Sequence, residues 1–270
     1  CCIFTSRFTT ECYHEVALDP AKEASMRSFF IVLSLLLTAS CASAAEPITT
    51  RTVEHLGDRY TVVTMRLGGD ADLRLYGGQP GGLTFVDTRD ATGHENRTVV
   101  ALMNGGMYGT DTGPVGLFIA NGVERHSIDL GSGEGNFYLK PNGVFWLDTK
   151  SVAHVTASGT FPTDRSGVTL ATQSGPMLLV DGVVPLVLWP DSPNKLRRNG
   201  VGVSADGKIV NLIISEGDVR FYDMATLFRD KLACDDALYL DGVVSKLWTS
   251  GNVPTDRYGV VIAVTRKLTP

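Results

Sequence analysis

Cysteine is scarce in this chain, with five in 270 residues, and four of them (Cys1, Cys2, Cys12 and Cys41) precede residue 45. If that stretch is a leader, only Cys234 remains, no disulfide can close within the rest, and the fold must rest on its apolar core. Basic charge is also short, at 24 Lys and Arg against 29 Asp and Glu for a formal net charge of −5. That balance gives no footing for nucleic-acid binding, and no polybasic block marks a membrane-surface role. Histidines at 55, 94, 126 and 154 show neither H-x-H nor H-x-x-x-H spacing, so no zinc site is predicted. Asp70, Asp72, Asp111 and Asp129 are isolated rather than arrayed as a calcium loop, and no metal or cofactor is expected. No apolar run reaches the roughly 18 residues that a membrane span needs.

Residues 26–44 read as a signal peptide. Met26 and Arg27 open it, residues 31–37 form a short apolar stretch, and Ala42, Ser43 and Ala44 suit a signal peptidase. Translation is then expected to start at Met26, with residues 1–25 as upstream sequence. Residues 45–270 are expected to form one exported domain, periplasmic or secreted, with no integral membrane segment after cleavage. Leu37-Thr38-Ala39-Ser40-Cys41 also resembles a lipobox, with its Leu one place too far from the cysteine. Lipid anchoring at Cys41 is the alternative to plain export.

Beyond the leader, residues 60–67 and 73–76 are rich in β-formers, and residues 98–103 form an apolar run that stops at Asn104-Gly105-Gly106. Asn121-Gly122, Asn142-Gly143, Asp181-Gly182 and Asp206-Gly207 then separate further short apolar runs. Each pair is a hairpin signal, because Asn, Asp and Gly tolerate the positive φ of tight turns. One helix interrupts this pattern: Asp223 can cap it, and Leu227, Phe228 and Leu232 supply a face for packing on a sheet. Residues 258–265 are too apolar for an edge strand and are expected in a sheet's interior. The predicted class is α+β, a β-rich single domain of mainly antiparallel sheet with a few packed helices.

Several stretches invite a chemical reading beside a structural one. Asp241-Gly242 follows the apolar run Ala237-Leu238-Tyr239-Leu240, where it is either a hairpin turn or a carboxylate presented at the end of a buried strand. Glu216 ends another apolar strand and is either its partner or a turn residue; sugar chemistry at an anomeric carbon commonly uses two carboxylates. Gly105 and Gly106 let the backbone approach a ligand or turn its N–H groups to an anion, and equally serve a plain turn. Arg198, in Arg197-Arg198-Asn199-Gly200, is either half of a solvated basic pair or a planar fork for phosphate or carboxylate. Ser174 lacks the G-x-S-x-G surroundings and a histidine partner of a nucleophile, so with Gly175 it reads as a binding element.

Taken together and in order, five blocks resemble the phosphodiester glycosidase family. They are Asn104-Gly105-Gly106-Met107-Tyr108; Asn136-Phe137-Tyr138 with Pro141-Asn142-Gly143-Val144-Phe145; Gln173-Ser174-Gly175-Pro176; Arg198-Asn199-Gly200-Val201-Gly202-Val203; and Asp236-Ala237-Leu238-Tyr239-Leu240-Asp241-Gly242 with Ser245. The resemblance implies an exported hydrolase that cleaves a sugar joined through its anomeric carbon to a phosphodiester. It implies Asp241 as acid or base, with Glu216 as its candidate partner. It also implies Arg198 and the Gly105 and Gly106 amides on the phosphate, with Asn104, Ser174, Gly175, Gly242 and Ser245 around the substrate. The expected partner is a carbohydrate or glycosyl-phosphate substrate, such as a phosphate-bridged envelope or secreted polysaccharide. Two positions depart from the family pattern: Val243, where a second glycine is common, and Asn199, where a small hydroxyl residue is frequent. The alternative function is a non-catalytic protein of polysaccharide binding or exopolysaccharide assembly on the same scaffold.

Overall fold

The computed structural model describes residues 46–268, so the expected upstream stretch 1–25, the expected signal peptide 26–44 and Cys41 lie outside the described residues. Within them the chain is β-rich and every pairing of named strands is antiparallel.

A six-stranded sheet has the order β1 (Ile48–His55), β2 (Asp58–Arg66), β12 (Ile209–Ser215), β11 (Asn199–Val203), β13 (Asp236–Asp241), β10 (Met177–Leu179). A four-stranded sheet runs β14 (Leu247–Trp248), β4 (Arg97–Asn104), β15 (Val260–Lys267), β3 (Ala71–Gly77). A five-stranded sheet runs β6 (Val123–His126), β5 (Phe118–Ala120), β9 (Val168–Ser174), β7 (Gly143–Asp148), β8 (Ala153–Ala157).

The burial pattern explains the layering. β3 buries Ala71, Leu73 and Leu75 and turns the intervening residues outward, the period of two expected of a strand with one covered face. β13 is covered on both faces. Leu238 and Leu240 join the large core that all three sheets share, whereas Ala237 and Tyr239 pack with Met224, Leu227 and Phe228 of the helix α2 (Phe221–Asp230). Gly200 and Gly202 on β11 make that helix's approach possible, since a Cβ on Gly200 would lie 2.7 Å from Met224 Cε, and one on Gly202 would run into Phe228.

Several expectations change here. The helix begins at Phe221 with Arg220 in the capping position, and Asp223 accepts the Arg220 N–H at 3.1 Å from the third helical position. A further helix, α1 (Phe85–His94), was not foreseen; it starts at a reciprocal cap between Thr84 and Asp87, and its buried face is Phe85, Thr88 and Thr92. Asn121-Gly122 joins β5 to β6, and the Asp206-Gly207 turn joins β11 to β12. Asn142-Gly143 makes no hairpin: Asn142 is buried with its amide on the Phe137 carbonyl, and Gly143 already belongs to β7. Residues 260–267 lie between β4 and β3, inside a sheet as their apolarity required. No helix among the described residues is long and apolar enough to cross a membrane.

Candidate active site

The Asp241-Gly242 turn does not connect paired strands. β13, which it ends, belongs to the six-stranded sheet, while β14, which follows, pairs with β4 of the four-stranded sheet. Gly242 is not among the positive-φ glycines, unlike Gly122 and Gly207 in the true hairpins. Asp241 therefore stands where the chain leaves one sheet for another.

Asn104, the last residue of β4, is fully buried at that seam and donates from its amide to Asp241 Oδ2 at 3.1 Å. Its own amide oxygen accepts the Lys246 N–H at 2.8 Å and the Asn199 amide at 2.9 Å. Asn199, the first residue of β11, accepts the Asp241 N–H at 2.8 Å and lies 3.3 Å from the Ser245 hydroxyl. Ser245 also donates to the Asp241 carbonyl at 2.9 Å, and Gly242 gives its N–H to Asp241 Oδ1 at 2.7 Å. The carboxylate is thus held by neutral donors alone, and no cation pairs with it among the described residues. Burial pushes its pKa up to about 6, against the opposing pull of the Gly242 and Asn104 hydrogen bonds.

Arg198 is fully buried, yet it has no carboxylate partner. Nε donates to the Val219 carbonyl at 2.9 Å, Nη2 to Asn194 Oδ1 at 2.8 Å, and Nη1 has no acceptor. The guanidinium lies 3.7 Å above the Phe221 ring and 5.4 Å from the Tyr239 ring. Burial lowers its pKa, and the neighbouring Tyr239 and, beyond ion-pair distance, the Asp218 carboxylate work against that shift. Tyr239 completes the link to Asp241. Its phenol lies beside Arg198 and Asn136, whose N–H groups lower its pKa, and feels the Asp241 charge; burial outweighs them and raises the pKa to about 12, so the phenol stays neutral there. A Cβ on Gly242 would lie 2.6 Å from that hydroxyl, so the turn beside the carboxylate must be glycine. Tyr108 also senses the Asp241 charge, which adds to the effect of its burial and takes its phenol to about 12.

Other expected residues are placed differently. The Gly105 N–H donates to the Val260 carbonyl at 2.8 Å and the Gly106 N–H to Thr172 Oγ1 at 3.2 Å, so neither amide is free for a phosphate. The two glycines serve packing: a Cβ on Gly105 would lie 2.6 Å from Val260 Cγ1, and one on Gly106 would strike the Gln173 carbonyl. The Ser174 hydroxyl donates to the Leu240 carbonyl at 2.8 Å and ties β9 to β13; Gly175 packs against Asn142. Glu216 is not brought to Asp241. It sits on the surface, 3.6 Å from Arg59, and the only contacts that order it lie on β2. Asn199, Tyr239 and Asn136 were not singled out as site residues by sequence. Their signal is a polar group inside or next to an otherwise apolar strand or motif block.

Antiparallel sheets carrying a buried carboxylate and an unpaired buried guanidinium at their seam define a class, and comparison names it. The chain belongs to the phosphodiester glycosidase family, hydrolases of glycosyl bonds, whose profile matches residues 97–265. It is 39% identical over 168 residues to the uncharacterized protein YigE of Escherichia coli (strain K12), a match covering 61% of this chain and 65% of that one, just under two thirds of the relative's length. Among solved structures it resembles the zebrafish N-acetylglucosamine-1-phosphodiester alpha-N-acetylglucosaminidase catalytic domain, auto-inhibited by its pro-peptide. That likeness has a TM-score of 0.59 at 13% identity over 84% of this chain and 86% of that one, and is a likeness of fold.

Proposed function

We propose that this chain hydrolyses the bond between the anomeric carbon of a sugar and the oxygen of a phosphodiester, in an exported setting and on envelope or extracellular material. The observation that carries the reading is the juxtaposition, beside Tyr239, of a desolvated carboxylate without a counter-ion and a buried guanidinium that has no carboxylate within ion-pair distance and an Nη1 without an acceptor. A sugar phosphodiester offers a match for both. Its phosphate supplies the charge that Arg198 lacks, and the cationic sugar that develops as the C1–O bond breaks is stabilised by ionised Asp241. A phosphate is a fair leaving group once its charge is held, so little protonation is required. Water adds to C1, Asp241 takes its proton, and the products are the free sugar and a phosphate monoester. The zebrafish enzyme is named for an N-acetylglucosamine-1-phosphodiester, which makes that linkage the first to test.

Asp241→Asn keeps the shape of the site and removes the base. It is expected to lower kcat/KM on a sugar-1-phosphodiester by about 10²–10⁴-fold with an unchanged circular dichroism spectrum. Reaction in ¹⁸O-water should place the label on the sugar and none on the phosphate. Unchanged turnover in Asp241→Asn, or label on phosphate, overturns the assignment, and saturable sugar binding without turnover would assign a binding protein instead. With Asp241 working ionised, kcat/KM of the wild type rises through about pH 6 to a plateau; a fall through the same range would make Asp241 the proton donor.

A further inference from the structure

The Asp241 carboxylate has two flanks, built on separate apolar clusters. On one, Tyr239 packs with Phe221 and the rest of α2, close to Arg198. On the other, Tyr108 packs against the cluster of Tyr258, Phe85 and Leu102. This second flank is made by three loops locked to one another. The Gly81 N–H donates to the Asp111 carbonyl at 3.0 Å, Leu83 and Tyr258 exchange backbone bonds of 2.9 Å, and Arg257 Nη1 donates to the Gly81 and Gly82 carbonyls at 3.0 Å. The Tyr258 ring lies 4.9 Å from that of Phe85, and its hydroxyl is 3.5 Å from Asp256 Oδ2. Tyr108 crosses the backbone at Gly259, where a Cβ would lie 2.5 Å from Tyr108 Cβ. The flank is fixed to the seam, because the Gly105 N–H, next after Asn104, donates to the Val260 carbonyl at 2.8 Å.

Two polar groups on this flank are left over by the fold. The Tyr108 hydroxyl makes no hydrogen bond among the described residues and is open to solvent, although the residue is half-buried. Asp256 is exposed and forms no ion pair among the described residues. Both phenols feel both carboxylates, since Asp241 and Asp256 each add to the effect of burial on Tyr108 and on Tyr258. Asp241 and Asp256 therefore stand around Tyr108 together, whereas Arg198 and Tyr239 have only Asp241 in common with that group.

Resting on the hydrolase reading above, we propose that Tyr108 and Asp256 form the sugar subsite. The pyranose ring lies against Tyr108, Asp256 accepts from sugar hydroxyls remote from C1, and the phosphate stays on the Arg198 flank with Asp241 between the two at C1. The sugar is the half of the substrate that suits this flank. An aromatic side chain covers ring C–H groups while its hydroxyl bonds to the ring's oxygens, and an acceptor-only carboxylate matches hydroxyl donors and repels a phosphate. The site thereby acquires a polarity, with phosphate towards the start of α2 and sugar towards the start of α1. It also acquires a preference for sugars whose hydroxyls away from C1 are free.

The test compares wild type, Asp256→Asn and Tyr108→Phe on the methyl ester of N-acetylglucosamine 1-phosphate and on its 3-deoxy, 4-deoxy and 6-deoxy analogues. A hydrogen bond to a charged acceptor is worth about 10–100-fold, and wild type is expected to lose about that much kcat/KM on at least one deoxy analogue. Asp256→Asn is expected to lose as much on the parent ester, in KM rather than kcat, and to match wild type within about threefold on that same analogue. Tyr108→Phe keeps the ring and is expected to lose about 3–10-fold, the scale of a neutral hydrogen bond. Equal wild-type kcat/KM on all four esters, a uniform loss across them in Asp256→Asn, or unchanged turnover in either variant overturns the subsite and leaves the hydrolase reading in place. If wild type turns over none of the esters, that reading fails, and the subsite is decided by thermal shift with N-acetylglucosamine and with methyl phosphate. A sugar shift that is lost in Asp256→Asn and kept in Arg198→Met supports it. No sugar shift, or one that Asp256→Asn leaves intact or Arg198→Met removes, sinks it.

Discussion

Arg97 and Arg198 are both buried, and they are employed in opposite ways. Arg97 opens β4 with Nη2 3.0 Å from Asp72 Oδ2 and Nη1 donating to Thr265 at 3.2 Å, and Asp72 in turn lies 3.2 Å from Arg74. Its charge is answered within the fold. Arg198 sits just before β11 with carbonyl, amide and aromatic neighbours, and its nearest influential carboxylate, Asp218, stays beyond ion-pair distance. Burying a cation without an anion costs stability. A fold that supports such a cation is consistent with keeping it for a ligand, as proposed above. Burial alone therefore says little about a charged residue; the informative quantity is what remains unpaired after burial.

Substitutions at the two arginines separate the roles. Arg198→Met is expected to lower kcat/KM on the phosphodiester by about 10²–10³-fold, the scale of losing a fixed donor to transition-state charge. Its unfolding free energy should stay within about 2 kcal/mol of wild type in urea titration, because the lost hydrogen bonds are offset by relief of the buried charge. Arg97→Met should do the reverse. It leaves Asp72, which is about one third exposed, with Arg74 as its remaining partner, so a loss of about 2 kcal/mol in stability is expected, with kcat/KM within about twofold.

Asp241 sharpens the contrast as an anion without a cation. Its pKa in the fold is about 6, above the roughly 3.9 of an unfolded chain, so its contribution to stability is complete below about pH 4 and is lost as pH rises through 6. Asp241→Asn should therefore be more stable than wild type by about 1–2 kcal/mol at pH 7.5, a difference that vanishes near pH 4 in urea titrations at the two pH values. The smallest effect belongs to Glu216. Its surface pair with Arg59 is worth less than about 1 kcal/mol, so Glu216→Gln should change stability by under about 0.5 kcal/mol and leave kcat/KM within about twofold. A hundredfold loss there would restore it as the second carboxylate.

What could be read from the sequence follows the range of the interactions involved. The Asn121-Gly122 and Asp206-Gly207 turns, the helix of residues 221–230 and the interior strand 260–267 rest on local pattern; the turns stand where that pattern puts them, and the helix and the strand are displaced from it only at their ends. Helix α1 escaped because two of its three buried residues are Thr88 and Thr92, which read as polar until their hydroxyls are seen bonded to carbonyls four residues back. The free amides expected at Gly105 and Gly106 failed for a non-local reason, since their acceptors come from Val260 and Thr172. Glu216 and Asp241 look alike in one dimension, each an acid ending an apolar strand. They separate once the ladders are known, because Asp241 is still paired, opposite Asn199, whereas Glu216 lies one residue past the end of β12 and is exposed beside Arg59. Asn199 stood out only as a departure from a family pattern, yet it holds the site together.

That single amide grips three parts of the chain at once: the end of β4, the backbone of Asp241 and the Ser245 turn. The carboxylate thus ends a strand of one sheet and is held by Asn104 of another, and its aim is set by how the two sheets are aligned. A slide of about half an ångström between them is enough to spoil a productive geometry, and it would lengthen several of these bonds together. Under the proposed activity, turnover becomes a gauge of sheet alignment, and substitutions deep in the shared core, remote from any substrate, are expected to lower it while the molecule is still folded.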